Sequence, residues 1–308
     1  MKVSVLIAAF RNAETVGLTL EGLRRQTVRP HQVVVVASGG DGTAAAVRAT
    51  HPEVELIVSE ARLFPGAARN RGLGRVTGDV VACLDADCVP DPDWIERILE
   101  AAGRGHRAIG GAVLNAPGSD ALGWAYYLSE FAPWLPGRPR SLRDAPTCNS
   151  AYRAGLIEAA GRFTEEPLLS ADSLLHWALR ERLGVTLRFE PAVRVAHRYR
   201  GTAAQLLVRR FRHGRSLAAA RRRFGQDRLF LRFFWGLAGA VLLPAFYVLR
   251  LLALAVGHPD VPASALLRAL PLTVVALTLW SWGQAHGALR PERGGRDRRG
   301  RPLEAEGA

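Results

Sequence analysis

Cysteine and lysine are both scarce in this 308-residue chain, and each scarcity removes a class of explanation. Cys83, Cys88 and Cys148 are the only cysteines, an odd number with no metal-ligand spacing. A disulfide framework and a cysteine zinc site are therefore excluded, and a reduced, cytoplasmic compartment is expected. Cys83 lies inside an apolar run, where a thiol behaves as a small hydrophobe. Lys2 stands alone against 40 arginines, which reflects codon usage and carries no mechanism. Only the short run Val3–Phe10 separates Lys2 from Arg11, so no secretory leader is expected. The chain has no internal repeat, no phosphate-loop pattern, no helix-turn-helix or zinc-finger spacing and no aromatic RNA-binding strand. The run Gly72-Leu73-Gly74-Arg75-Val76-Thr77-Gly78 has one residue too many for G-x-G-x-x-G and precedes a strand instead of following one. Dinucleotide, NTPase and nucleic-acid readings fall away together.

The formal charge is +13, and its distribution decides what it means. Acids and bases balance over residues 1–197. Residues 198–232 carry 11 arginines against the single acid Asp227. This band sits immediately before the most apolar part of the chain, a pairing that favours an anionic membrane surface over nucleic acid.

Strand and helix signals alternate through the first 110 residues. Val3–Ala9, Gln32–Ala37, Val54–Val58 and Asp79–Leu84 read as strands. Glu14–Arg25, Gly66–Leu73 and Asp91–Ala102 read as helices, and Gly39-Gly40-Asp41-Gly42-Thr43 reads as a turn in which Asp41 is a cap. This rhythm predicts an α/β fold with a mostly parallel sheet and right-handed crossovers. Further on, Ala121–Phe131 and Ser170–Leu183 read as helices, Pro133–Pro146 as a loop, and Thr186–Phe189 and Val193–His197 as two strands. Residues 205–232 form a basic amphipathic helical stretch. Segments 233–257 and 263–283 are apolar except for Arg250 and Arg268, and His258-Pro259-Asp260-Val261-Pro262 joins them as a hairpin. About 20 apolar residues span a bilayer, so each segment suffices if its arginine snorkels. Basic residues flank both outer ends, which puts both termini on the cytoplasmic side of a spanning hairpin. A re-entrant or surface-lying hairpin is the other reading.

The run Val80–Leu84 ends on Asp85-Ala86-Asp87. Ligands of open α/β sheets bind beyond the carboxyl ends of strands. Two carboxylates there suit Mg2+ or Mn2+, and through such a cation a diphosphate.

Several stretches, in order, resemble family-2 glycosyltransferases: Ser4–Thr15, Pro65–Gly72, Gly78-Asp79 with Asp85-Ala86-Asp87, Cys148–Arg153, Gly161-Arg162-Phe163 and Ala171–Leu175. The resemblance covers residues 1–200. It implies a GT-A-like domain, a nucleotide-sugar donor, and inversion at the anomeric carbon of the sugar. Carried onto this sequence, it implies Asp172 as catalytic base, with Glu165 and Glu166 as fallbacks. It also implies Ala9, Ser38, Arg69 and Asp85 as donor contacts, and Asp87, Asp85 and His197 as metal ligands. His197 is equally readable as a packed histidine. Arg209, Arg210, Arg212 and Arg215 clamp a diphosphate or meet lipid headgroups. Three positions depart from the pattern, one of them Ala8, which replaces the proline of the first motif. The acid expected after the second strand is missing at Ala37, which leaves the donor base open, and the acid before the catalytic Asp is Ala171. Gln205–Arg210 also lacks the processive Gln-x-x-Arg-Trp pattern, which favours single addition.

The expected organisation is a transferase domain over 1–200, basic interface helices over 201–232, a transmembrane hairpin over 233–283 and a basic, disordered cytoplasmic tail over 284–308. The expected acceptor is a membrane lipid or lipid-linked glycan. The alternative is an inactive scaffold of the same fold within an envelope assembly complex.

Overall fold

A computed structural model describes residues 1–166, 169–223 and 239–289. These fall into two compact units. The tail expected beyond Leu289, and residues 224–238 of the basic stretch and first apolar segment, lie outside the described residues.

The first unit is built on β1 (Val3–Ala9), β2 (Gln32–Ser38), β3 (Glu55–Ser59) and β4 (Val80–Asp85). They pair in parallel in the order β3-β2-β1-β4. Valine-rich runs suit this position, because the middle of a parallel sheet is covered on both faces. Val5, Leu6 and Ile7 are fully buried accordingly. The crossover helices are α1 (Val16–Arg24), α2 (Thr43–Thr50) and α3 (Pro65–Leu73). Pro65 opens α3, where a missing N–H leaves no hydrogen bond unmade.

Beyond β4 come β5 (Cys88–Pro90), α4 (Trp94–Gly103) and β6 (Ala108–Asn115). After the intervening α5 (Ala121–Glu130) follow β7 (Arg140–Leu142), β8 (Asn149–Arg153), α6 (Leu156–Ala159), α7 (Ala171–Leu183) and β9 (Leu187–His197). β8 enters antiparallel between β4 and β6, and the order continues β4-β8-β6-β9-β5, with β7 on β9. The two strands expected near 186–197 are one strand. It jumps register opposite Gly111 and Ala112, pairing Gly111 with Glu190 and Ala112 with Arg194. Pro191 in that gap has no N–H to give to a ladder, so the extra residues bulge.

Asn149 fills the space the bulge opens. It is fully buried, donates Nδ2–H to the carbonyls of Ala112 and Val193 at 2.8 and 2.9 Å, and accepts from Trp94 Nε1 at 2.8 Å. A Cβ on Gly111 would stand 2.2 Å from Asn149 Nδ2. Three segments are stitched through one side chain.

The second unit contains α5, α8 (Ala203–Arg223), α9 (Gly239–Ala255) and α10 (Ala263–Leu289). Among the described residues, α10 is the one helix long and apolar enough to cross a bilayer, and the apolar run Leu242–Ala255 of α9 is shorter. Replacing Asn149 by Ala would strand three buried polar partners, each of which costs about 1–3 kcal/mol when unpaired. The expected outcome is a fall in stability of about 3 kcal/mol or more, read by chemical denaturation.

Candidate active site

The loops that leave the carboxyl ends of β1 and β2 are fastened to one another. Asn12 Oδ1 accepts from Phe10 N–H at 3.0 Å, and Asn12 N–H reaches Thr43 Oγ1 at 3.0 Å. The Asp41 carboxylate takes the backbone N–H groups of Arg11 and Thr43. Burial opposes the charge of Asp41, yet these hydrogen bonds hold its pKa below the ordinary value. Asp41 is thus engaged as a turn cap. Arg11 is held at φ 58°, a left-handed conformation unusual for a non-glycine residue. Gly39 has φ 87°, and a Cβ there would lie 2.6 Å from the Phe10 ring. Arg62 covers the same ring at 4.5 Å and Arg11 approaches it at 5.2 Å. Beneath this rim Ser38 is buried, and its Oγ has no hydrogen-bond partner among the described residues. Ala9 is buried beside Ala37 in the β1–β2 ladder.

Arg69 projects from α3 and is only 5% exposed. Its Nη2 pairs with Asp85 Oδ1, at the end of β4, at 2.8 Å. Burial disfavours the guanidinium charge, but Asp85, and behind it Asp172, hold its pKa above the ordinary value. Arg69 also lies over the Phe163 ring at 5.6 Å. The neighbouring Asn70 anchors that loop by exchanging hydrogen bonds with the Phe163 backbone at 2.9 and 3.1 Å, and it donates to Glu165 at 3.0 Å. Gly66 is required here, because a Cβ would stand 1.9 Å from the Thr164 carbonyl oxygen. Glu165 is therefore committed to Asn70, and Glu166 is exposed.

Asp87 follows two residues after Asp85 and faces another partner. Its Oδ2 is 3.4 Å from Nε2 of the buried His197. Cys88 pairs directly with His197 across β5 and β9, which puts their side chains on one face. One ligand atom each from Asp87, Cys88 and His197 lie within 4.8 Å of one another. The Asp87 oxygen and the His197 nitrogen gathered so closely fit a divalent cation, with the Cys88 sulfur beside them. Asp85 stands outside this trio, on Arg69. Spacing alone does not point to Cys88, and its place in the trio depends on the register of β5 against β9. Burial pushes its thiol well above the ordinary value, with the neighbouring Cys148 adding to the effect. Cys83 is raised to about 12 by burial.

Asp172 sits in the first turn of α7, half-buried, with Oδ1 accepting from Ser173 N–H at 2.8 Å. Ser173 Oγ donates to Asp144 at 3.3 Å, which ties the 134–146 segment to the helix start. One turn along α7, the buried His176 receives the Ala145 N–H on Nδ1 at 3.3 Å. Nε2 therefore carries the proton and donates to the Tyr152 hydroxyl at 2.6 Å. This pair fixes α7 against β8 and was not singled out from sequence, because its partner lies 24 residues away.

A family profile described as Glycosyl transferase family 2 matches residues 4–160. Glycosyltransferase AglE of Haloferax volcanii is 28% identical over 80% of this chain and 83% of its own length. A pre-mycofactocin glycosyltransferase of Mycobacterium tuberculosis is 31% identical over 70% of this chain, which spans about half (47%) of that relative. Among solved structures, the mannosyltransferase PcManGT from Pyrobaculum calidifontis, in complex with GDP-Man and Mn2+, aligns with a TM-score of 0.61 at 23% identity. That alignment covers 94% of this chain and 88% of the other, and it shows a shared fold.

Burial pushes His176 down to about 3. The unfolded chain takes up this proton near pH 6.5 while the folded chain stays neutral. The folded state therefore keeps its full stability above about pH 6.5 and loses it progressively as pH falls toward about 3. His176→Gln is expected to flatten the fall of melting temperature between those limits, measured by calorimetry across a pH series.

Proposed function

The chain belongs to glycosyl transferase family 2, and from that premise we propose a metal-assisted, inverting transfer of a sugar from a nucleotide-sugar donor to a membrane-held acceptor. A lipid or lipid-linked glycan suits the acceptor role best, because the basic band and the apolar helices suit an anionic bilayer. The observation that carries the reading is the gathering of charge at the strand ends. A buried Arg69 pairs with Asp85 and feels the charge of Asp172, and Asp87, two residues after Asp85, meets His197.

Inverting transfer is a single displacement. The acceptor oxygen bonds to the anomeric carbon while the bond from that carbon to the diphosphate oxygen breaks, and the electron pair leaves with the nucleoside diphosphate. Asp172, half-buried at the start of α7, is the group suited to receive the acceptor hydroxyl proton, since a positioned carboxylate can serve as a general base. Asp87 and His197, with Cys88 beside them, would hold Mg2+ or Mn2+, which when bound neutralises charge on the departing diphosphate. Arg69 is charged at every working pH and, fixed by Asp85, is pre-aimed at developing negative charge. Ser38 Oγ has hydrogen-bonding capacity to spare for the nucleoside, beside Ala9 and the Phe10 ring. The end of β2 carries Ala37 where an acid is expected for a uracil contact, which leaves the donor base open.

Two measurements test this reading. Thermal shifts with UDP, GDP and dTDP, each with Mn2+ or EDTA, should show metal-dependent stabilisation by one nucleotide, lost in Asp87→Ala. No shift with any nucleotide would favour an inactive scaffold of the same fold. In Asp172→Asn, transfer to a hydroxyl acceptor should fall by about 10²–10⁴-fold with donor binding retained. Transfer to a polyprenyl phosphate, already an anion, should fall far less. Full activity in the variant would remove Asp172 from the mechanism.

A further inference from the structure

Among the described residues, the second unit contains one helix with the length and apolarity of a membrane span, yet its surroundings are unlike those of a span. α8 runs against the last third of α10 at backbone contact. A Cβ on Gly214 would lie 2.1 Å from the Trp280 carbonyl oxygen, and one on Gly283 would lie 2.1 Å from that of Phe211. Gly287 meets Ala218 Cβ at 3.0 Å in the same way. The helices cannot be this close without sharing one environment.

That environment is charged. Arg221 Nη1 donates to Gln284 Oε1 at 2.6 Å, and Arg222 donates to the Gly287 carbonyl. Arg210 lies over the Trp280 ring at 5.4 Å and pairs with Glu130 of α5, whose other carboxylate oxygen is 3.2 Å from His213 Nδ1. Burial opposes the charge on Glu130, but Arg210 and His213 hold its carboxyl well below the usual range. An acid also stands before the opposite end of α10. The Asp260 carboxylate in the turn before it lies close enough to Tyr127 of α5 to add to the upward push that burial gives the phenol. Tyr127 is one helical turn from Glu130.

A bilayer core is about 30 Å thick, and an arginine or acid at its centre is costly to bury in hydrocarbon. Carrying α10 across it would take the charged partners of its last third into hydrocarbon. The remaining stretch, Ala263–Leu279, is about 25 Å long and still contains the exposed Arg268.

The apolar side chains left exposed point to a different arrangement. Of the 14 large apolar residues exposed among the described residues, nine lie in α9, α10 and the turn between them. On α9 they include Leu242, Phe246 and Leu249, and on α10 Leu267, Val275 and Trp282. Spacings of four and three residues on α9, and of eight and seven on α10, close to whole helical turns, make each set a stripe. The same unit exposes Arg200, Arg209 and Arg212. Apolar stripes beside exposed arginines match the chemistry of a helix lying in the headgroup layer of anionic lipid, with Trp282 suited to the interface and Arg250 and Arg268 able to snorkel.

We infer that the helical unit enters an anionic bilayer from one side, through the exposed apolar faces of α9 and α10, and that α10 does not cross it. The inference rests on the membrane part of the proposed function and is independent of the donor chemistry. It makes the hairpin turn and the catalytic unit face the same compartment.

The test uses the full chain in inside-out and right-side-out membrane vesicles, with a membrane-impermeant maleimide. Pro259→Cys reports the turn and Glu53→Cys reports the catalytic unit. The three native cysteines are buried, so the unmodified chain is the blank. Both reporters should label at least ten-fold more in the same vesicle orientation. Labelling of the two from opposite sides would establish a crossing and overturn the inference, as would recovery of the chain in the soluble fraction. In a second arm, Arg209→Glu with Arg212→Glu should weaken binding to phosphatidylglycerol-containing vesicles at least ten-fold and leave binding to pure phosphatidylcholine unchanged. Equal binding of the variant and the unmodified chain to both would remove the anionic-lipid part. Nucleotide thermal shifts on the same preparation report separately on the transferase reading.

Discussion

A guanidinium that cannot lose its proton and is 5% exposed has to be surrounded by negative charge, and Arg69 imposes that demand on everything near it. Asp85 answers it directly, and Asp172 answers it at longer range from α7. The approach of α3 to the 163–165 loop, closed over Gly66 and locked by Asn70, keeps the guanidinium out of water. One buried cation thus joins α3 to the end of β4 and draws on the charge at the start of α7. The proposed chemistry draws on the same balance, since a site organised around fixed charge need not reorganise when a diphosphate departs.

The two halves of the sheet meet through a different device. β8 runs against β4 and β6, and its first residue, Asn149, satisfies a tryptophan N–H and two carbonyls at the bulge where β9 changes register. The same strand, β9, ends on His197, so the register that the bulge sets also decides which residue faces Asp87. The sheet's irregularity is what assembles the candidate metal ligands. A regular ladder through 187–197 would shift His197 relative to Cys88 and Asp87.

In the helical unit, glycine sets the packing and arginine sets the environment. Gly214, Gly283 and Gly287 let α8 and α10 touch at backbone distance, and the arginines of α8 then reach groups on α10 that hydrocarbon could not satisfy. Apolarity along the helix axis and apolarity around the helix are separate properties. α10 has the first, and its neighbours restrict the second to one stripe.

Much of the parallel half was readable in the sequence. Val3–Ala9 is the bound of β1, and the ends of β2, β3 and β4 fall within a residue or so of those expected, because unbroken valine-rich runs between turn signals leave little choice. The Asp85-Ala86-Asp87 strand end, Arg69 and Asp172 were also identifiable, as ordered local motifs. What local pattern could not give was partnership. β6 has two adjacent glycines that dilute its signal, β5 has three residues, and β8 is polar at both ends, so none announces itself. That Asp85 goes to Arg69 while Asp87 goes to His197 and Cys88, that Glu165 is held by Asn70, and that a span-like helix is lined by arginines are facts of register and helix approach. The sequence by itself determined which segments are buried and which residues are candidates for the chemistry, because hydrophobic period and residue type are local. Only the tertiary structure decided which charges meet, because pairing across 16, 95 or 110 positions depends on the strand order and a bulge that no local window contains.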